Sequence, residues 1–550
     1  MGDFRALLFN LYEISAQPIS RAGMKSDPQK CFFPLAHYPQ MAKKKTTAKK
    51  SGQRPRSSKR ESLHLSVALP RKPTRSAIPP PENVSVQVLL ATSPDGPSVI
   101  STPEQIAASN IENFRPSKAT QDKAAARLAD LGFKIVAISP YSISIEGPPS
   151  LFTKTFGTEL EVRSIHRVQS SRPVREKAYY APREGASWDV PVELKGLIER
   201  AYVQRPSIYL ESALPPTVNY FHLEVPGHVA MLTRASEVHH QGFNGKGIKV
   251  VMIDSGFFNH QFYISHGYKA TVMLGPGAVG VNQDDIGHGT AHAANVFATA
   301  PGITFGMIKQ GNDSTAAFNA AVSLQPHIII CSWAFDLALQ NRKHLPGIPN
   351  EFKALEMAVA HAVAMGICVV CAAGNGHVGF PGMHPDVISV GGIFVNPNKQ
   401  LFASDFASAY VSKPYPGRQV PDVCGLSGLA PGGIYIMLPV QPGCELDGKL
   451  ATGQPFPNGD QTQKSDGWGV FSGTSAAAPQ VAGVCALLKQ KNPSLRPHEL
   501  KQTLMASARD CSQGRANPLS NEGVALAATA GTDGATGHGL VDAAAALQIV

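Results

Sequence analysis

Four polar side chains between residues 254 and 475 could together perform acyl-transfer chemistry. They are Asp254 in VVMIDSG, His288 in GHGTAHA, Asn375 in AAGNG and Ser475 in FSGTSAAAP. A serine hydroxyl is a weak nucleophile until a neighbouring base takes its proton, and a histidine oriented by an aspartate is such a base. The oxyanion then needs preset donors, which the Asn375 amide and the backbone N–H of Ser475 could supply. The pattern predicts a nucleophilic site built around Ser475.

The residues around Ser475 are small, and this would suit a crowded centre. Gly473 would allow a substrate backbone to approach closely. The alanines at 476–478 would let a helix run tightly past its neighbours. We expect Pro479 to lie in the first turns of that helix, where its missing N–H costs least.

Helices alternate with continuous apolar strands after Gly242, and this alternation predicts the frame that positions these side chains. Strands are predicted at GIKVVMID, HIIICSW, ICVVCAAGN and DVISVGGI, between helices such as IGHGTAHAANVFATA and TSAAAPQVAGVCALLKQ. The pattern is typical of a mostly parallel sheet covered on both faces, a three-layer α/β fold. Functional groups in such sheets collect where strands end, as Asp254 and Asn375 do. The Gly- and Pro-rich segment 426–470 is predicted to be a loop-like insertion.

A smaller domain is predicted between Asn83 and Leu210. Strands are expected at NVSVQVLLAT, FKIVAISP, YSISIEGP and TELEVRS, and helices at SKATQDKAAARLADLG, SLFTKTFG and VPVELKGLIERA. Strands and helices in this proportion favour an antiparallel sheet with helices on one face, a small α+β (ferredoxin-like) domain. Residues 1–82 then form a disordered leader and basic linker, and 211–241 a connector to the α/β domain at 242–550.

The positive charge of the chain is concentrated in its leader. The formal net charge is +10, and residues 43–75 contain 12 Lys and Arg against one acid, Glu61. Such a tail is either a solvated segment or a weak polyanion-binding one. The sequence has no apolar run long enough for a membrane span and no clear signal peptide. The scattered cysteines suit a reducing compartment, so an intracellular location is favoured over a secreted one.

The four motifs, in the order Asp, His, Asn and Ser, resemble the signature blocks of the subtilisin-like serine proteases. The resemblance extends from about Gly242 to Val550. It implies a serine endopeptidase that hydrolyses peptides or proteins through an acyl-enzyme. Asp254, His288 and Ser475 would form the triad, with Asn375 in the oxyanion hole, and no cofactor would be required for the chemistry.

The segment ARLADLGFKIVAISPYSISIEGPPSLFTKTFGTELEV resembles the propeptide of the sedolisin proteases. Sedolisins place a glutamate where this chain has His288, so the catalytic set resembles the subtilisin type. The resemblance implies a self-processing zymogen, with 83–210 as propeptide and a cleavage site between Leu210 and Phe243. A working histidine base implies activity near neutral pH or above.

The substrate-binding strand departs from the family pattern. Subtilisins commonly have SLGG where this chain has Ser332, Trp333, Ala334 and Phe335. We expect Ser332, Trp333, Ala334 and Gly374 to bind substrate. Ala334 in place of glycine would narrow the primary pocket and Trp333 would wall it, which predicts small or mid-sized P1 side chains.

Other interpretations of these residues lead to metal sites or to a silent scaffold. His288 and His292 have the spacing of a zinc-binding pair, but Gly289 stands where the zinc protease pattern needs glutamate. Cys368 and Cys371, three apart on a strand, should point to opposite faces as buried thiols.

Asp510 and Asp533 resemble the calcium-binding acids of sedolisins, so a structural calcium ion is one option and ordinary surface acids are the other. A second hypothesis is a catalytically silent scaffold that binds partners or polyanions through its tail.

Overall fold

The computed structural model describes residues 81–92, 96–165, 177–209, 222–429, 435–452 and 460–550. We call 81–209 the N-terminal region and 222–550 the C-terminal region. The predicted basic tail at 43–75 lies outside the described residues, so its polyanion binding stays a prediction. Within the described ranges, every helix is too short or too polar to cross a lipid bilayer.

A four-stranded antiparallel sheet with two helices forms the N-terminal region. The strands lie in the order Lys134–Ile138, Ser142–Gly147, Val84–Leu90 and Ile198–Val203. The helices, Lys118–Asp130 and Pro149–Phe156, each connect two parallel strands that have one antiparallel strand between them. A hairpin of Leu160–Ile165 and Lys177–Pro182 is inserted before the last strand. This strand order is the predicted ferredoxin-like arrangement.

The strand Val84–Leu90 is buried along its whole length because it has a protein partner on each face. On one face its valines join the core of the N-terminal region. On the other face Leu89 belongs to a cluster that includes Met357 of the C-terminal region, and Gln87 donates a hydrogen bond to Asp313. The two regions therefore share an interface that contains both apolar and polar contacts.

The prediction of a helix at VPVELKGLIERA is wrong. A single 3-10 turn occupies Val192–Leu194, and the strand Ile198–Val203 follows it. Gly196 between them has a φ of +71°, a left-handed conformation that a helix does not contain. Pairing with Val84–Leu90 completes the sheet, so the tertiary context overrides the helical periodicity of this segment.

An eight-stranded, mostly parallel sheet forms the centre of the C-terminal region. Seven strands follow the order Ala270–Leu274, Thr304–Lys309, Lys249–Asp254, Ile328–Cys331, Cys368–Ala372, Ile388–Val395 and Leu401–Ala403. The last of these is antiparallel to its neighbour, and Val423–Leu426 pairs in parallel with Ile388–Val395. Successive side chains alternate between the two covered faces, which places Cys368 in one core cluster and Cys371 in the other. The prediction of buried thiols on opposite faces is confirmed.

Helices cover both faces of this sheet. His288–Thr299 and Thr474–Lys491 pack on one face, and Ser314–Ser323 and Lys353–Ala364 on the other. The remaining helices are Gly227–Leu232, Ala235–His240, Gln261–His266, Glu445–Thr452, Pro497–Ser507 and Ala543–Ile549. The predicted three-layer α/β fold is confirmed.

The segment 426–470 contains more regular structure than predicted. The strands Tyr435–Pro439 and Trp468–Phe471 pair with each other, and the helix Glu445–Thr452 lies between them in the chain. Tyr435–Pro439 also pairs in parallel with His222–Glu224. Strands this short take their partners from distant segments, so their own Gly- and Pro-rich composition does not reveal them.

Candidate active site

Asp254 and His288 meet at the end of a central strand. Asp254 is the last residue of Lys249–Asp254, and His288 is the first residue of its helix. The Nδ1 atom of His288 lies 2.7 Å from Oδ1 of Asp254, and both side chains are fully buried. The same Oδ1 accepts the N–H of Ser255 at 2.7 Å. The aspartate thus orients the imidazole through Nδ1, which makes Nε2 the atom available for proton transfer to a nucleophile.

Glycine residues on both sides of His288 permit this approach. Gly287 has a φ of +92°, in the left-handed range that favours glycine. A Cβ atom on Gly289 would lie 2.2 Å from the carbonyl oxygen of Gly256 and 3.1 Å from Cβ of Asp254. The His288 helix therefore starts in contact with the strand end because position 289 has no side chain.

Ser475 is the second residue of the buried helix Thr474–Lys491, which begins after Gly473 with a φ of +105°. Its hydroxyl donates to the carbonyl of Ser332 at 3.1 Å. The hydroxyl of Ser332 donates in turn to the carbonyl of Ser475 at 3.2 Å. Ser332 directly follows the strand Ile328–Cys331, which is the neighbour of the Asp254 strand in the sheet.

Pro479 explains this reciprocal contact and corrects one expectation. Pro479 is the sixth residue of the helix, beyond the first turn whose N–H groups have no helical partner. The carbonyl of Ser475 would normally accept from the N–H of residue 479, which proline lacks. The Ser332 hydroxyl supplies that missing donor, so Ser332 holds Ser475 in place, a contact that the expected substrate-binding role does not include.

Asn375 lies beside the start of the Ser475 helix. Its Oδ1 accepts from the backbone N–H of Thr474 at 2.9 Å and from the Thr474 hydroxyl at 3.0 Å. The N–H of Gly374 donates to the same hydroxyl at 3.1 Å. These bonds fix which end of the amide is the carbonyl, and its NH₂ end is the donor end that an oxyanion requires. The structure therefore brings Asp254, His288, Asn375 and Ser475 to the carboxyl ends of neighbouring strands.

His292 is a packed core histidine, as predicted. Its ring makes an edge contact with His288 at 4.3 Å between centroids. Burial, with a smaller contribution from the charge of His288, holds the pKa of His292 well below its usual range. In the described part of the chain, no group of three or more His, Cys, Asp or Glu side chains could hold a metal ion.

Asp510 and Asp533 do not form a calcium site. Oδ1 of Asp533 accepts the N–H groups of Ala535 and Thr536 at 2.7 and 2.8 Å, and Oδ2 accepts that of Thr529 at 2.9 Å. Oδ2 of Asp510 accepts an N–H as well, from Gly531. These carboxylates organise their own loop, so their oxygens do not fit a shared calcium ligand set.

Trp333 does not wall a substrate pocket, so that expectation is wrong. The indole is fully buried and donates from Nε1 to the carbonyl of Ile253 at 3.0 Å. Alternation along the strand Trp333–Asp336 sends its side chain into the core on the opposite face from the Ser475 helix, whereas Ala334 lies on the helix side. A Cβ atom placed on Gly379 would lie 3.3 Å from Cβ of Ala334, which shows how closely these two positions approach.

The end of the N-terminal region is seated on this strand. Ile208–Tyr209 runs antiparallel to it, with Tyr209 opposite Trp333 and Ile208 opposite Ala334. Gln310 of the C-terminal region donates to the hydroxyl of Ser207 at 2.6 Å just before this pair. A peptide strand therefore already pairs with Trp333–Asp336, the strand that begins next to Ser332 and its contact with Ser475.

Comparison with known proteins agrees with this geometry. The sequence profile of the Subtilase family matches residues 245–539, more than half of the chain, and the chain therefore belongs to that family. The alkaline elastase YaB of Bacillus sp. (strain YaB) is 28% identical over 49% of this chain and 61% of the elastase. Subtilisin DY of Bacillus licheniformis is 27% identical over 50% of this chain and 89% of the relative. Fervidolysin of Fervidobacterium pennivorans, a keratinolytic enzyme related to subtilisin, aligns with a TM-score of 0.49 at 16% identity, covering 85% of this chain and 61% of its own.

Proposed function

We propose that this protein is a serine endopeptidase that acts through an acyl-enzyme. One observation carries the proposal: in a member of the subtilase family, a buried His288 lies 2.7 Å from Asp254. Ser475 stands at a helix start beside Asn375, on the neighbouring strand ends. Peptides or proteins would be the substrates, and the chemistry would need no cofactor.

The residues would act in sequence on a peptide carbonyl. Oγ of Ser475 attacks the carbonyl carbon while His288 takes the hydroxyl proton on Nε2, and Asp254 stabilises the resulting imidazolium. The oxyanion accepts from the Asn375 amide and from the backbone N–H of Ser475. His288 then gives the proton to the leaving amine, and a water molecule repeats the steps to release the acid and regenerate Ser475.

The N-terminal region would be the propeptide of a zymogen. Its last described residues, Ile208–Tyr209, would cover the strand Trp333–Asp336, on which substrate would bind. Further contacts hold the region there, such as the Arg205–Glu351 ion pair at 3.0 Å. The pairing ends with Tyr209 opposite Trp333, next to Ser332, whose carbonyl accepts from Ser475 Oγ. Leu210 lies outside the described residues. We therefore predict self-cleavage between Leu210 and Glu211, at the start of the predicted 211–241 connector.

The substrate preference of the enzyme would be set near Ala334. Ala334 replaces a common glycine and lies close to Gly379, so a small or mid-sized P1 side chain is favoured, and leucine at 210 agrees with this. The sedolisin-like character of the propeptide stays a prediction, as does a structural calcium ion.

The location and the tail belong to the same proposal. The described chain contains seven free cysteines, all buried, which supports a reducing, intracellular compartment. The basic 43–75 segment would bind polyanions weakly, and its deletion should abolish retention on heparin without changing peptide hydrolysis.

Labelling with a fluorophosphonate probe tests the proposed chemistry. The wild type should be labelled and should show a new N-terminus at Glu211 by mass spectrometry. Ser475→Ala should stay full-length and unlabelled, with peptide hydrolysis lower by at least about 10³-fold. A wild type that stays unlabelled after the N-terminal region is removed would favour the silent scaffold, and a labelled enzyme with another N-terminus would refute only the Leu210–Glu211 site.

A further inference from the structure

A buried carboxylate outside the four motifs organises the first turn of the His288 helix. Asp284 is fully buried and lies four residues before His288. Its Oδ1 accepts the N–H of Gly287 at 2.9 Å, and its Oδ2 accepts both the N–H and the hydroxyl of Thr290 at 2.7 Å. The carboxylate thus caps the start of the helix, where N–H groups have no helical partner and negative charge is favoured.

Ser255 connects this cap to the triad aspartate. Ser255 follows Asp254 in the chain, and its hydroxyl donates to Oδ1 of Asp284 at 2.7 Å. The Ser255 oxygen accepts the N–H of Gly289 at 2.9 Å. The strand end that carries Asp254 is therefore connected through Ser255 to Gly289 directly and to Gly287 by way of Asp284, the two residues that flank His288 in the chain.

We propose that Asp284 is a positioning residue that holds His288 in hydrogen-bond contact with Asp254. The inference rests on the proposed function. Asp284 acts through the backbone of the helix start, where it accepts the N–H groups of Gly287 and Thr290. Backbone groups donate three of these bonds, two to Asp284 and one to Ser255, and backbone donors cannot rotate to suit a different partner. Bonds to a buried charge are stronger than neutral ones, so their loss should displace the helix start.

Replacing Asp284 by asparagine tests the proposal most directly, because it removes one hydrogen-bond acceptor and the charge without changing the size of the side chain. Both carboxylate oxygens face donors, so the NH₂ group of an Asp284→Asn variant would point at either Gly287 or Thr290 while the size of the side chain stays the same. A displacement of about 1 Å between reacting groups can cost about 10²-fold in rate. We expect kcat per titrated active site to fall by about 10–100-fold and KM to change by less than about threefold.

The control is Asp542→Asn. Asp542 caps another helix, Ala543–Ile549, by accepting the N–H of Ala545 at 2.8 Å. This variant should lower thermal stability without lowering kcat per titrated site. Ser255→Ala should lower kcat as well, and the double variant with Asp284→Asn should lose less than the sum of the two single effects, because both substitutions break one link. An Asp284→Asn enzyme with wild-type kcat and reduced stability would overturn the proposal.

A second readout is independent of catalysis. The Nδ1–H proton of His288, held against Asp254, should give a separate downfield proton resonance in the intact chain. In Asp284→Asn it should shift or broaden, while in Asp542→Asn it should stay as in the wild type. An unlabelled wild type with this behaviour would refute the peptidase but keep the positioning role, and an unchanged resonance would refute the positioning role.

Discussion

The four-stranded N-terminal sheet and the eight-stranded C-terminal sheet differ in which elements cover their faces. The C-terminal sheet has helices of its own region on both faces, and the four candidate catalytic groups stand where its strands end. One face of the N-terminal sheet is covered by the helices of its own region. On the other face, Leu89 and Gln87 are buried because the C-terminal region lies against them. The C-terminal sheet is therefore covered by helices of its own region, whereas one face of the N-terminal sheet is covered by the other region.

The contacts that join the two regions differ in kind as well. The cluster around Leu89 and Met357 is apolar, although its Tyr141 contacts the ring of His361, whose pKa is lowered by burial. The contact between Gln87 and Asp313 buries a carboxyl that has no cation among the groups that shift its pKa. We therefore expect the affinity of the N-terminal region for the C-terminal region to change with the protonation of Asp313.

Removing the oxyanion donor should give the largest effect and should affect only the C-terminal region. We expect Asn375→Ala to lower kcat by about 10²–10³-fold with docking of the N-terminal region unchanged. Asn375→Asp is the matched control for shape, because it keeps the acceptor for Thr474 but lacks the NH₂ donor, and it should be equally impaired. Steady-state kinetics on a peptide substrate decide this, and an active Asn375→Asp enzyme would contradict the oxyanion role.

Changing the pH should act on the interface as well as on the His288 base. Burial raises the pKa of Asp313 from 3.8 to about 6, and the charge of Glu146 adds to the shift. Glu146 is paired with Lys134 at 3.3 Å. Neither the strand Val84–Leu90 nor the helix Ser314–Ser323 contains a charged residue. The docked state therefore binds a proton more tightly than the undocked state, in which Asp313 regains water.

The contribution of Asp313 to docking should accordingly be strongest below pH 3.8 and weaken as the pH rises through about 6, by on the order of 100-fold in total. Hydrogen exchange in the full-length Ser475→Ala chain would measure it, as protection of Val84–Leu90 relative to the core strand Cys368–Ala372. In the Asp313→Asn background the fall between pH 3.8 and 6 should be lost, and only the pH dependence of interface groups such as His361 and His384 should remain. If the protection ratio falls with rising pH as much in Asp313→Asn as in the parent chain, the pH dependence of docking belongs to another group.

The smallest predicted effect concerns the carbonyl of Ser475. Ser332→Ala removes its hydroxyl donor, which Pro479 cannot replace, so the free energy of unfolding should fall by about 1–2 kcal/mol. Adding Pro479→Ala restores an N–H at that position and should recover part of the loss. Ser323→Ala, whose hydroxyl bonds to Ala320 at the exposed end of a helix, should change little. Urea unfolding would measure the free energy of unfolding of these variants. Equal decreases for Ser332→Ala and Ser323→Ala would contradict the idea that the Ser332 hydroxyl compensates for the missing N–H of Pro479.

The sequence predicted most of the fold and the residues of the candidate site for identifiable reasons. Continuous apolar strands of four to eight residues indicate burial on both faces, and this pattern correctly located the central sheet around Asp254. The polar residues Asp254 and Asn375 were conspicuous because they follow such strands. The predicted helix at 190–201 was wrong because its periodicity is weaker than the preference for pairing with the second edge of Val84–Leu90.

The sequence by itself determined which side chains could do chemistry and in which order they occur, because residue type and local periodicity are properties of short segments. Only the tertiary structure decided the contacts of Asp284, Ser332 and Trp333, and the pairing of Ile208–Tyr209 with the strand Trp333–Asp336. These depend on hydrogen bonds and burial between residues far apart in the chain. A polar side chain at a turn looks the same in sequence whether it faces water or accepts three buried donors, and packing alone makes that difference.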